Sequence, residues 1–356
     1  MRPVSRTPCF HLTIALLCTL LSSCNSQRLQ RKPSLEIMRV PTADPGGPEK
    51  LDYIQGRTSN AGPDQQIVLY AHSGVWWIQP FADHPFTKIQ PDSTWKNSTH
   101  LGTEYAALLV NAGYHPASKL AALPEESGSV VAVAIAQGRP GKPIPPPKTI
   151  HFNGYDWIAR SASSDRGGFP NPYDPANVWT DQKGYLHLRM DQRDGRMYCA
   201  EVNLTRSLGF GTYRFVVQNS AHIGPSAVVS MFTYDEGSIE ENRHELDVEL
   251  SRWGNPDAKN AQFVVQPFYV PENVVRFDTP AGRVTYTFRW QPESATFSAT
   301  RGSAPGAPAI SQHIFTSGVP QATGQTVHID LYNFHHSGSS LQQPVEVVIE
   351  KFEYLP

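Results

Sequence analysis

Between residues 149 and 356 the chain repeatedly alternates apolar and polar side chains in short runs. In 283–290 (RVTYTFRW), Val284, Tyr286, Phe288 and Trp290 share one face, and Arg283, Thr285, Thr287 and Arg289 share the other. Residues 184–191 (GYLHLRMD) repeat the pattern, with Leu186, Leu188 and Met190 opposed to Tyr185, His187 and Arg189. Side chains leave a strand on alternate faces, so such a run buries one face and wets the other. That directs the segment toward antiparallel sheets packed as a sandwich. No long stretch spaces apolar residues at helical intervals, and 31 Pro with 26 Gly supply turns between short strands. The fold class expected is all-β.

The 356 residues exceed one ordinary domain and suit two, with 39% hydrophobic residues to build their cores. Residues 138–148 (GRPGKPIPPPK) carry five prolines, cannot pair as a central strand, and read as a stiff spacer between domains. Ahead of it, QQIVLYAHSGVWWIQP, GTEYAALLVNAGY and SGSVVAVAIAQG are separated by Gly, Pro and Asp/Ser clusters. A small antiparallel β-sandwich is expected over 49–137. Its aromatics Trp76, Trp77, Phe81 and Trp95 either fill the core, the expected fate of most, or stack on sugar rings. Adjacent strand residues point to opposite faces, which leaves room for one of Trp76 and Trp77 at the surface.

The first 24 residues stand apart from the fold. Arg2 and Arg6 precede an apolar stretch from Phe10 to Leu21, the layout of a secretory signal and too short for a membrane span. Leu21-Ser22-Ser23-Cys24 resembles a bacterial lipobox, which implies a lipidated Cys24 as the mature N-terminus, and Asn25 behind it points to the outer membrane. The expectation is an exported, lipid-anchored protein facing the periplasm or the cell surface, with residues 25–48 as a flexible tether. Removal of Cys9 and Cys18 with the signal leaves Cys199 as the one free thiol, so the mature chain has no intrachain disulfide. Cys199 reads as a small buried hydrophobe. A net charge of −2 with only 17% charged residues gives no broad field favouring nucleic acid or anionic lipid, so no nucleic-acid partner is expected. The chain is expected to be a monomer. His335 and His336 lack a companion at metal-site spacing and read as solvated; the sequons at Asn97 and Asn203 read as chance.

The stretch with chemical content is HELDVELSRWG, residues 244–254. Packing Leu246, Val248 and Leu250 between sheets turns Glu245, Asp247 and Glu249 outward together. Three carboxylates about 7 Å apart on one face repel one another and bring a structural strand no gain. Neighbouring carboxyls push each other's pKa values apart, so that one serves as a general acid while another stays ionised as a nucleophile. Glycoside hydrolysis uses such a pair, roughly 5 to 5.5 Å apart in retaining enzymes. On a flat strand the Cα atoms of Glu245 and Glu249 stand roughly 13 Å apart, so their side chains must converge over Asp247.

Glu245-Leu246-Asp247-Val248-Glu249 resembles the Glu-x-Asp-x-Glu signature of glycoside hydrolase family 16, and NVWTDQKGYLHLRM, LGFGTYRFVV, SAVVSMFTYD, TYTFRWQPESATFSATRG, VHIDLYNF and VEVVIEKFEYLP extend the resemblance over most of 149–356. The resemblance implies a concanavalin A-like β-jelly roll that cuts β-1,3 or β-1,4 glucans or galactans with retention and needs no cofactor. It implies Glu245 as nucleophile, Asp247 as its assistant and Glu249 as acid/base. The chain departs from the pattern in lacking a Trp pair ahead of the acids and in carrying Gln262 and Gln266 where many members place a His. Trp253 falls on the acids' face if the strand continues that far, which makes it a candidate sugar platform; Phe232 and Gln266 are further candidates for substrate contact. A lectin-like protein, in which the acids only hydrogen-bond to sugar, and a transglycosylase share these features.

Overall fold

A computed structural model of the protein describes residues 31–44, 50–141, 146–166, 171–240, 244–304, 306–334 and 344–356. The expected export signal, Cys24, His335 and His336 lie outside these residues. The helical elements among the described residues are short 3-10 turns, such as those at Pro175–Asn177 and Pro271–Asn273.

The N-terminal sandwich contains β1 (Ser34–Arg39), β2 (Leu51–Ser59), β3 (Gln66–Ser73), β4 (Val75–Gln79), β5 (Phe86–Thr87), β6 (Thr94–His100), β7 (Glu104–Val110), β8 (Lys119–Leu120) and β9 (Val130–Gln137). A sheet of order β1-β2-β6 faces one of order β8-β4-β3-β7-β9, with β5 paired to β3. Ile54, Ile67, Leu69, Trp95 and Tyr105 fill the space between them. The opposite face of the larger sheet holds a second core of Val68, Tyr70, Trp76, Ile78 and Leu108, against which Tyr114, Leu120 and Leu123 pack.

Two segments differ from the sequence expectation. Residues 34–39 fall inside the expected tether but form β1, paired antiparallel with β2. Leu35 and Ile37 pack on the core while Ser34, Glu36 and Met38 are exposed, so SLEIMR is an alternating strand hidden in a polar, proline-broken segment. The expected spacer likewise begins attached: Gly138 N donates to Thr103 O at 2.9 Å, and Arg139 bridges to Thr42 with its Nε donating to Val40 O at 2.7 Å.

The C-terminal sandwich contains β10 (Thr149–Phe152), β11 (Tyr155–Ala159), β12 (Val178–Thr180), β13 (Leu186–Arg193), β14 (Arg196–Tyr198), β15 (Ala200–Leu204), β16 (Gly211–Val217) and β17 (Ala227–Tyr234). It continues with β18 (Leu246–Leu250), β19 (Ala261–Val265), β20 (Val274–Phe277), β21 (Val284–Gln291), β22 (Ser294–Arg301), β23 (Ala309–Phe315), β24 (Thr326–Asn333) and β25 (Val345–Leu355). One sheet has the order β10-β11-β15-β24-β17-β18-β19-β20, the other β12-β13-β25-β16-β21-β22-β23, with β14 beside β13. The late strands β24 and β25 insert between early ones, giving the crossed connections of a jelly roll. A single core joins Trp157, Val229, Val248 and Phe263 of the first sheet to Leu188, Phe215, Tyr286, Phe288 and Phe352 of the second. The inward faces expected for 186–190 and 284–290 are both buried there.

Candidate active site

Register arranges the outer face of the first sheet into rows. Glu201 on β15 stands opposite Asp330 on β24, and Asp330 opposite Ser230 on β17. Ser230 pairs with Glu249 on β18, Glu249 with Gln262 on β19, and Gln262 with Arg276 on β20. In the next row His328, Phe232 and Asp247 lie side by side. The cause is local: Leu246, Val248 and Leu250 are wholly buried between the sheets, and period-two geometry sends Glu245, Asp247 and Glu249 the other way. This face is polar but mostly dry, contrary to the solvated face that alternation predicts: Asp247 is 1% exposed, and Ser230, Gln262, His328 and Asp330 are buried too.

Each acid has its own surroundings. Glu249 accepts a hydrogen bond from Gln262 Nε2, and Gln262 Oε1 in turn accepts from Arg276 Nε at 3.0 Å. Burial pushes the Glu249 pKa up, against the opposing pull of Gln262, Arg276 and a hydrogen bond with Ser230. Burial also raises Asp247, well above the carboxylate range, and the charges of Glu245 and Glu249 reinforce it. A hydrogen bond to Glu245 adds to the rise, so a neutral Asp247 donates to Glu245. Gln266 Nε2 donates to Asp247 Oδ2 at 3.0 Å while its Oε1 accepts from Phe268 N at 2.8 Å, which fixes the amide's orientation. Three carboxyls in three environments can divide acid and nucleophile roles among themselves.

Glu245 and Glu249 open into a cleft of about 400 Å3, with Phe232, Gln266, Phe268 and Tyr332 on its walls. Phe232 is nearly buried and stacks on His328 at 5.0 Å between ring centroids, so it offers an edge of wall and little free face. Phe268 is 64% exposed at the rim beside exposed Tyr269; neither stood out in the sequence. Trp253 does not line the cleft. The strand ends at Leu250, and Trp253 sits in the following turn at φ +46°, its ring 4.5 Å from the Arg276 guanidinium carbon. Its contact with the site therefore runs through Arg276 and Gln262.

Sequence reasoning also missed an ion cluster at the other end of the row. Glu201, wholly buried, meets Arg160 at 2.9 Å, Arg166 at 2.6 Å and His328 Nδ1 at 2.8 Å. Burial alone would raise the Glu201 pKa, but Arg166 and Arg160 overrule it and hold it well below the usual range. Asp330, which accepts Ser230 N–H at 3.2 Å, is pushed well up by burial and by the Glu201 charge. A signal existed in VHIDL, where His328 and Asp330 alternate with Val327, Ile329 and Leu331. Cys199 is buried, and burial raises its thiol to about 12. Among the described residues no group of His, Cys, Asp and Glu has the arrangement to hold a metal ion.

No family model and no curated protein sequence matches the chain. Solved structures similar to it include a Bacillus licheniformis β-glucanase, at 23% identity over 58% of this chain and 94% of that one, with a TM-score of 0.46. A prokaryotic β-1,3-1,4-glucanase (lichenase) derived from a mouse hindgut metagenome is 17% identical over 58% of this chain and 95% of its own, with a TM-score of 0.45. A glycosyl hydrolase family 16 protein from Mycobacterium smegmatis is 15% identical over 56% and 91%, with a TM-score of 0.42.

Proposed function

We propose that the C-terminal sandwich is a family 16-like glycoside hydrolase that cleaves a β-linked glucan or galactan internally and with retention. The observation that carries the reading is the division of labour among neighbouring carboxyls: burial favours the proton on Glu249, while Asp247, also kept neutral, donates to Glu245. In the first step the Glu245 carboxylate attacks the anomeric carbon, the glycosidic C–O bond breaks, and the Glu249 proton passes to the leaving oxygen. In the second, the Glu249 carboxylate takes a proton from water as that water attacks the anomeric carbon and releases Glu245. Two inversions give net retention. Gln262 holds Glu249 in place through both steps, and Gln266 does the same for Asp247.

The test is release of reducing ends from laminarin, lichenan, agarose, carrageenan and xyloglucan by the full chain, with proton NMR of the first product formed. Turnover to the β-anomer, lost in Glu245→Gln, supports the reading. Binding without turnover, unchanged by Glu245→Gln, replaces it with a lectin-like role, and products longer than the substrate indicate transglycosylation.

The site reaches its substrate, in this reading, from a lipid anchor on Cys24 at the outer membrane. Ser34, ten positions after Cys24, already belongs to β1. Ten residues span at most about 35 Å, which limits the reach of the tether ahead of β1. Incorporation of labelled palmitate, lost in Cys24→Ser, tests the anchor.

A further inference from the structure

The cleft is not built by the C-terminal sandwich alone. Trp77 on β4 and Lys119 on β8 line it together with Glu245 and Glu249. The strand splits its two tryptophans: Trp76 enters the core beneath the larger N-terminal sheet, and Trp77, half-buried, turns to the cleft. Trp77 is held there, since its indole Nε1–H donates to Ser73 O at 3.2 Å and Lys119, its partner across the β4–β8 pair, stands 4.7 Å from the ring centroid. The two sandwiches meet at this edge. A Cβ added to Gly74 would lie 3.2 Å from the Glu236 carbonyl oxygen, and the Glu236 side chain pairs with Arg166 of the cleft wall at 2.7 Å.

An indole fixed at the wall of an open cleft, outside every core cluster, has a flat apolar face of the kind that packs on the C–H faces of a pyranose. The charges around it define the sugar. With burial favouring the proton on Glu249 and Asp330, and Arg166 already paired with Glu201 and Glu236, Glu245 and Asp165 are left facing Lys119 on the walls. A polyanionic chain would meet net repulsion. We propose that Trp77 is a sugar-stacking platform of the active-site cleft, so that an uncharged glycan chain is bound jointly by the two sandwiches. This inference rests on the hydrolase reading for its choice of ligand, yet it can fail separately.

The experiment is affinity electrophoresis of the full chain carrying Glu245→Gln, in gels containing laminarin, lichenan, agarose or carrageenan. Retardation is expected in at least one uncharged glycan and to be weaker in carrageenan. Adding Trp77→Ala should lower the affinity at least fivefold, with Trp77→Phe recovering most of it and the melting temperature unchanged. Phe81→Ala, an exposed aromatic of the same sandwich away from the cleft, should have no effect. Affinity within twofold of the parent in Trp77→Ala, a loss caused by Phe81→Ala instead, stronger retardation in carrageenan, or no retardation in any gel would each overturn the proposal. Reducing-end release by the wild-type chain reports on the hydrolase reading independently.

Discussion

Glu249 and Gln262 face each other directly across β18 and β19, and the Gln262 amide links the Glu249 carboxyl to the Arg276 guanidinium. The bond favours ionised Glu249 and opposes the rise that burial imposes. Removing it in Gln262→Ala should raise the Glu249 pKa further, so the alkaline limb of the kcat/KM profile moves to higher pH. A hydrogen bond to a charged group contributes about 1.5–3 kcal/mol, so kcat should also fall by about ten- to hundredfold as the ionised Glu249 of the second step loses the amide that positions it. A pH–rate profile of both proteins checks the shift; an unmoved alkaline limb would separate Gln262 from the acid's titration.

Asp247→Asn should exchange activity for stability. The Asp247 pKa is raised in the fold, so above an unfolded value of about 3.9 the unfolded chain binds fewer protons than the native one, and stability declines as pH rises toward the folded value. Asparagine removes this penalty. The variant should melt several degrees above wild type at pH 7, with the gap closing near pH 3, while turnover falls by about a hundredfold or more. Calorimetry across pH is the check.

Glu201 has the opposite sign. Its folded pKa lies well below the unfolded one, so its contribution is complete above about pH 4.3 and is lost as pH falls through the folded value. Glu201→Gln leaves Arg160 and Arg166 with a missing buried partner and should cost about 3–5 kcal/mol at pH 7 in urea unfolding. The difference from wild type should narrow in acid.

Phe268 and Trp253 should behave differently despite similar chemistry. Phe268 is exposed on the cleft rim, so Phe268→Ala should raise KM about two- to tenfold, as expected for an aromatic contact, and leave the melting temperature unchanged. Trp253→Ala removes the surface under Arg276, and its effect should appear in kcat and the pH profile with KM little altered. Steady-state kinetics on one glycan separate the two.

The architecture was legible wherever a strand buries one face. Leu186, Leu188 and Met190, and likewise Val284, Tyr286, Phe288 and Trp290, occupy the core that their alternation marks out. The outward turn of Glu245, Asp247 and Glu249 follows from the same periodicity. What one strand could not disclose was its neighbours. Ser230 lies 29 residues after Glu201 and 100 before Asp330, and only register sets the three in a row with Glu249. Trp253 was misplaced because extrapolating a period of two assumes that the strand continues, whereas it ends at Leu250 and the chain turns at Trp253. Trp77 was legible as one of a pair with opposite orientations, but not as a wall of a cleft belonging largely to the other sandwich.

Ser230 is the smallest side chain in the row that runs from Glu201 to Arg276. Its backbone N–H serves Asp330 and its hydroxyl serves Glu249, so two charge systems touch at a single residue. Behind Asp330 lie ions that stabilise the sheet; beyond Glu249 lie an amide and a guanidinium that position its carboxyl and bias its proton. Changes at positions 262 and 276 therefore act on the working pH and rate of the site, while those at 201 act on the stability of the sheet beneath it.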